Sequence, residues 1–137
     1  MPNAPVVADL TWLSDLKFAT TVQDVSLVFD SAGIAGISPI ASLVAGLAGC
    51  MAMDVVFVLT RGHHPLTGLR AHIVAHRAEQ APKRLVNVEL RFTVSGAVPD
   101  EPITRAIELS REKYCSVWHS LRQDIPLHLT WDRAPSA

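Results

Sequence analysis

The chain has 137 residues, with 12 Lys+Arg against 13 Asp+Glu and a formal net charge of −1. That length fits one domain spanning residues 1–137, and the near-neutral balance excludes an electrostatic nucleic-acid binder, which needs a basic surplus. Hydrophobic residues make up 49% and charged residues only 18%, against about a quarter charged in ordinary soluble domains. A small domain has much surface for its volume, so the shortage of charge points to apolar surface covered by a second copy. A soluble homodimer is expected.

The N-terminus carries no recognisable targeting signal: Met1 to Leu10 has no basic start, and Val6-Val7-Ala8 is broken at Asp9. Val6 to Leu13, Phe18 to Val22 and Val25 to Phe29 read as strands, with turns at Ser14-Asp15 and Gln23-Asp24. Together they predict a small antiparallel meander. Asp30 to Gly36 is a loop of small, flexible residues.

From Ser38 to Thr60 the chain is almost wholly apolar, with Asp54 as its only charge. Ser38 is a suitable N-cap and Pro39 suits the first helical position, because its missing N–H would have no partner there. The helix is expected to run through Val58 or Leu59 and stop at Gly62, before Pro65. At about 1.5 Å per residue it would be roughly 30 Å long, enough to cross a bilayer or the middle of a small domain. Small residues (Ala41, Ala45, Gly46, Ala48, Gly49, Ala52), an internal Asp54 and the absence of an aromatic belt favour the second. No membrane partner is expected.

Leu69 to Glu79 reads as a strand, followed by a connection at Ala81-Pro82-Lys83. Val86, Val88, Leu90, Phe92 and Val94 then alternate with Asn87, Glu89, Arg91 and Thr93, so one face is buried and the other wet. Ile103, Ile107 and Leu109 mark a helical stripe to about Arg111; Cys115 to Leu121 reads as a second short helix and Pro126 to Trp131 as a final edge strand. The fold class is therefore α+β, with antiparallel sheets around a long central apolar helix.

Two cysteines are too few for a secreted disulfide scaffold or a four-thiolate zinc site, so a reducing cytoplasm is the expected compartment. Cys50 lies inside the apolar helix and Cys115 within Lys113-Tyr114-Cys115-Ser116. A free cysteine is often only a buried space-filler. Cys115, however, has Arg111, Lys113 and a helix start nearby, each of which favours a thiolate. Cys50 has no cation within a turn, and Asp54 at i+4 opposes its ionisation. Asp54 reads as a structural charge that caps a helix or meets Arg77, with a catalytic role as the alternative. His63-His64 read as solvent-exposed, His119 as a surface residue with a local base as the alternative, and His72 and His76 stand about 13 Å apart, too far for one metal.

Ser38-Pro39, Ala48-Gly49-Cys50 and Asp54-Val55-Val56 resemble the first signature of the OsmC/Ohr family. Ala106-Ile107, Leu109-Ser110 and Lys113-Tyr114-Cys115-Ser116-Val117, with Leu121 beyond, resemble the second. The resemblance spans roughly Gly33 to Leu129. It implies an intertwined α+β homodimer with cysteine-bearing helices at its centre and a site at the subunit interface. It also implies a thiol-dependent, peroxiredoxin-like peroxidase acting on organic hydroperoxides in oxidative-stress defence. The catalytic pair would be Cys50, peroxidatic, and Cys115, resolving, joined by a disulfide that a dithiol reductant, lipoyl-linked in the family's peroxidases, reopens. No metal or bound cofactor is implied. The peroxidases of the family activate their thiol with an Arg oriented by a Glu, whereas this chain has Ile40 after Pro39, no Glu between Pro39 and Cys50, and no arginine before Arg61. The alternative reading is a non-peroxidatic OsmC-like domain that binds a small apolar or thiol-bearing ligand at the dimer interface.

Overall fold

The computed structural model describes residues 3–135, whose contacts divide between Leu43 and Val44 into two units. In the first, β1 (Ala8–Ser14), β2 (Lys17–Val22) and β3 (Val25–Asp30) form the expected antiparallel meander in the order β1-β2-β3. Gln23 and Asp24 link the last two strands with φ of 49° and 68°. Two successive left-handed residues give the turn whose twist matches that of the strands it joins. Asp30 closes the next loop. Its carboxylate accepts backbone N–H groups from Ala32 (3.0 Å), Ile34 (3.2 Å) and Ala35 (2.9 Å). Those bonds, Ala35 foremost, hold the carboxyl below its ordinary range.

Helix α1 (Pro39–Arg61) begins and ends where the sequence predicts. The Ser38 hydroxyl accepts the Ala41 N–H at 3.3 Å, and Arg61 in the last turn suits the negative end of the helix. Beyond it Gly62 and a left-handed His63 (φ 58°) turn the chain. By length and composition this helix is apolar enough to cross a membrane. Within the second unit, however, Leu47, Met51, Val55 and Leu59 are wholly buried. Residues four apart share one helix face, so α1 is built into a protein core.

The second sheet joins β4 (Leu66–Arg77), β5 (Leu85–Gly96) and β6 (Leu127–Arg133) in that order. On β5, Val88, Leu90, Phe92 and Val94 are buried while Glu89 and Arg91 are exposed, as the alternation requires. β4 pairs with β5 antiparallel, and β6 is an edge strand as expected. One pairing departs from the antiparallel expectation: β5 and β6 run parallel, from Val88↔Leu127 to Val94↔Arg133. The cause is the connection between them. Parallel neighbours need a crossover that returns the chain to the same end of the sheet, and here that crossover is helical.

The crossover starts with α2 (Asp100–Leu109), whose Asp100 and Glu101 complement its positive end and whose Ile103, Ala106 and Ile107 form the buried stripe. The sequence predicts a regular helix to about Arg111. Instead the chain widens after Leu109 into a π-helical turn, Ser110–Tyr114, in which the Cys115 N–H donates to the Ser110 carbonyl at 2.8 Å. A short helix, α3 (Ser116–His119), follows with Cys115 as its N-cap, so the predicted Cys115-to-Leu121 helix is both shorter and displaced by one residue.

Phe92 is the largest wholly buried side chain. Phe92→Ala should cost about 3–5 kcal/mol in urea unfolding. Arg91→Ala, on the wet face of the same strand, should stay within about 0.5 kcal/mol of the parent.

Candidate active site

Cys50 lies midway along α1 and is half-buried. Asp54 follows one turn later on the same helix face. The other half of the site comes from the crossover. The π turn buries Ser110 completely and delivers Cys115, also wholly buried, to the start of α3. The Ser110 hydroxyl donates to Asp54 Oδ2 at 2.8 Å. Cys50 Sγ, a carboxylate oxygen of Asp54 and Cys115 Sγ consequently all lie within 4.8 Å of one another. Ser116 completes the contacts, with its Oγ 3.9 Å from Cys50 Sγ.

The two cysteines singled out in the sequence are therefore together, and both are free thiols. Their settings differ from the expected ones. Cys115 does not gain from the cations beside it in sequence. Arg111 donates to the Leu127 carbonyl at 3.0 Å and lies over Trp118. Lys113 lies over the Tyr114 ring. Burial pushes the Cys115 thiol up to about 11. The Trp118 N–H, donating to Cys115 Sγ at 3.3 Å, pulls the other way, while Cys50 and Asp54 push it further up.

Asp54 meets Ser110 rather than Arg77, whose Nε donates to the Lys83 carbonyl. The expected structural role thus becomes a position between two thiols. Ser110 is the member of the site that sequence reasoning missed. Its signals were its place in the second signature, as Leu109-Ser110, and a small hydroxyl at the end of an apolar helical stripe, five positions before Cys115.

His119 is exposed, and its Nε2 donates to the Arg111 carbonyl at 2.9 Å. Among the described residues no histidine joins a cluster of metal-ligating atoms. The trio of Cys50, Asp54 and Cys115 does offer two sulfurs and an oxygen of the kind that bind soft divalent metals. Its other chemical capacity is a two-electron dithiol–disulfide couple.

A family model described as OsmC-like protein matches residues 30–130, which include every member of this site. The chain belongs to the OsmC-like family. Protein YhfA of Escherichia coli K12 is 31% identical over 113 residues, covering 80% of this chain and 84% of YhfA. Among OsmC-like folds, a hypothetical protein from Aquifex aeolicus VF5 superimposes with a TM-score of 0.88 at 22% identity, covering 96% of this chain and 98% of its own. An organic hydroperoxide resistance protein from Elizabethkingia anophelis superimposes with a TM-score of 0.73 at 16% identity, covering 97% and 99%. At those identities the likeness is one of fold.

The unequal burial of the two OsmC-like cysteines has a direct chemical readout. In reduced native protein at pH 7, iodoacetamide should modify Cys50 about tenfold or more faster than Cys115. Cys115 modification should keep accelerating with pH until about 11, where its thiolate becomes the major form. Peptide mass spectrometry after timed quenching measures both.

Proposed function

We propose that this OsmC-like protein is a thiol-dependent peroxidase that reduces organic hydroperoxides, with Cys50 as the peroxidatic and Cys115 as the resolving cysteine. The observation that carries the reading is the approach of two free sulfurs, 65 positions apart in the chain, to within 4.8 Å. The half-buried Cys50 is the one a hydroperoxide can reach, and the wholly buried Cys115 is the one held back for the second step. The organic hydroperoxide resistance function named for the Elizabethkingia anophelis protein of the same fold supports the choice of substrate class.

The chemistry balances without a metal or bound cofactor. The Cys50 thiolate attacks the distal peroxide oxygen, forming an S–O bond as the O–O bond breaks. The alkoxide takes a proton and leaves as an alcohol, and Cys50 becomes a sulfenic acid. Cys115 then displaces the hydroxyl group from Cys50, giving a disulfide and water. A dithiol reductant, in lipoyl-linked form or free, restores both thiols by exchange. Such a cycle suits a reducing cytoplasm, where an unpaired dithiol is the resting state.

Reduced protein treated with cumene hydroperoxide should form one disulfide within each chain within minutes, and Cys50→Ser should abolish it. Thiols that stay intact at millimolar peroxide would sink the peroxidase reading and favour a ligand-binding domain, whose thiol-bearing ligand would then be sought.

The active unit on this reading is a homodimer in which the whole chain acts as one OsmC-like domain. On α1, Met53 (73% exposed), Val56 and Phe57 (56% exposed) are bare in the single chain. On the first sheet every residue of β1 is exposed, including Leu10, Trp12 and Leu13. Apolar surface of this extent marks a protein contact, and a second copy brings the same surface to answer it. Light scattering should give about twice the 14.9 kDa chain mass, and Phe57→Asp should shift it toward the monomer.

A further inference from the structure

On the peroxidase reading, the second step has a difficulty that the surroundings of Cys115 make acute. The attacking sulfur must shed its proton, yet burial holds this thiol protonated at neutral pH. Its one hydrogen-bond donor, the Trp118 N–H, can take nothing from it. The charged or titratable groups that act on Cys115 are Cys50 and Asp54. After reaction with peroxide Cys50 is a sulfenic acid, itself the target of the attack. Exposed His119, whose Nε2 donates to the Arg111 carbonyl, is not among the groups that act on Cys115, and the Arg111 and Lys113 side chains are engaged elsewhere.

We propose that Asp54 is the proton acceptor for Cys115 when the two sulfurs join. Four observations support it. A carboxylate oxygen of Asp54 lies within 4.8 Å of both sulfurs, a separation that one bridging water or a small side-chain rotation closes to hydrogen-bond reach. The Ser110 hydroxyl holds Oδ2 at 2.8 Å, and Oδ1 has no protein hydrogen-bond partner among the described residues. No Lys, Arg or His forms an ion pair with Asp54 among the described residues, so its charge is not already spent. Ser110 is wholly buried in the π turn that runs directly into Cys115.

The step then runs as follows. The Cys115 S–H proton passes to Asp54 while the sulfur's electron pair forms the S–S bond. The S–O bond of the Cys50 sulfenic acid breaks, and the departing hydroxide takes the proton from Asp54 and leaves as water. Two sulfurs end oxidised by the oxygen already delivered, and Asp54 returns unchanged. A carboxylate is a weaker base than a thiolate, so the transfer is favourable because the proton finishes on the leaving group rather than on Asp54. Ser110 acts through Asp54 and is a positioning residue.

The test is a stopped-flow and mass-spectrometric comparison of full-length parent, Asp54→Asn and Ser110→Ala proteins, given one equivalent of cumene hydroperoxide between pH 6 and 10. Formation of the Cys50 sulfenic acid, trapped with dimedone, is scored apart from closure of the disulfide. In Asp54→Asn, sulfenic acid should still form, while closure at pH 7 should slow by about 100-fold, within the usual range for losing a proton-transfer group. Its closure should regain speed with rising pH, because hydroxide then does the work, and Asp54→Glu should recover most of the neutral-pH rate. Ser110→Ala, which keeps the carboxylate but frees it, should fall between the two and keeps the test open if Asp54→Asn does not fold. Closure at the parent rate and with the parent pH profile in Asp54→Asn, or in Ser110→Ala should that be the only folded variant, overturns the proposal while leaving the peroxidase reading intact. A parent protein that forms neither sulfenic acid nor disulfide overturns both.

Discussion

The hydrogen bond from Ser110 to Asp54 ties the middle of α1 to the crossover between β5 and β6. Burying a carboxylate costs free energy unless a donor answers it, and here the donor arrives from 56 positions downstream. The candidate site is built around that meeting. The two sulfurs belong to the same two segments, so the register that brings hydroxyl to carboxylate also brings thiol to thiol. Around this contact the packing is ordinary: α1 contributes residues four apart, α2 contributes Ile103, Ala106 and Ile107, and β5 contributes alternate apolar residues.

The two thiols differ in their access to solvent, and on the peroxidase reading that difference divides the labour of a two-step reaction. Cys50 lies where solvent reaches it, with the Ser116 hydroxyl beside it. Cys115 is sealed in, and its N-cap position supplies one N–H that softens the cost of ionisation without removing it. The family's usual Arg–Glu pair has no counterpart in the stretch where the motif places it, since Ile40 follows Pro39 and no arginine precedes Arg61. The charged group that does stand close to both sulfurs is the Asp54 carboxylate, within 4.8 Å of each.

Much of this was legible in the sequence, and what was not has definite causes. Ser38-Pro39 and Gly62 marked both ends of α1 because capping is local chemistry that three or four residues decide. The alternation from Val86 to Val94 identified β5 and its buried face for the same reason. The direction of β6 was not legible, because Leu127 to Arg133 has the same strand pattern whichever way its neighbour runs. The π turn escaped as well: nothing in Ser110 to Tyr114 departs from helical composition, and the extra residue in the turn answers to tertiary packing. The environment of Cys115 was misjudged because nearness in sequence was allowed to stand for nearness in space. Arg111 and Lys113 are its neighbours along the chain, yet they spend their charge on Trp118, Leu127 and Tyr114.

The parallel pairing of β6 with β5 also governs the order in which the site is completed during synthesis. Cys50 leaves the ribosome 65 residues ahead of Cys115, and Cys115 rides on the connection that only the last strand anchors to the sheet. A nascent chain therefore carries an accessible Cys50 for as long as it takes to make the remainder, with no partner thiol in place. At typical elongation rates of about 5–20 residues per second, that interval lasts several seconds. On the peroxidase reading, a sulfenic acid formed on Cys50 in that window has no thiol of its own chain to close onto.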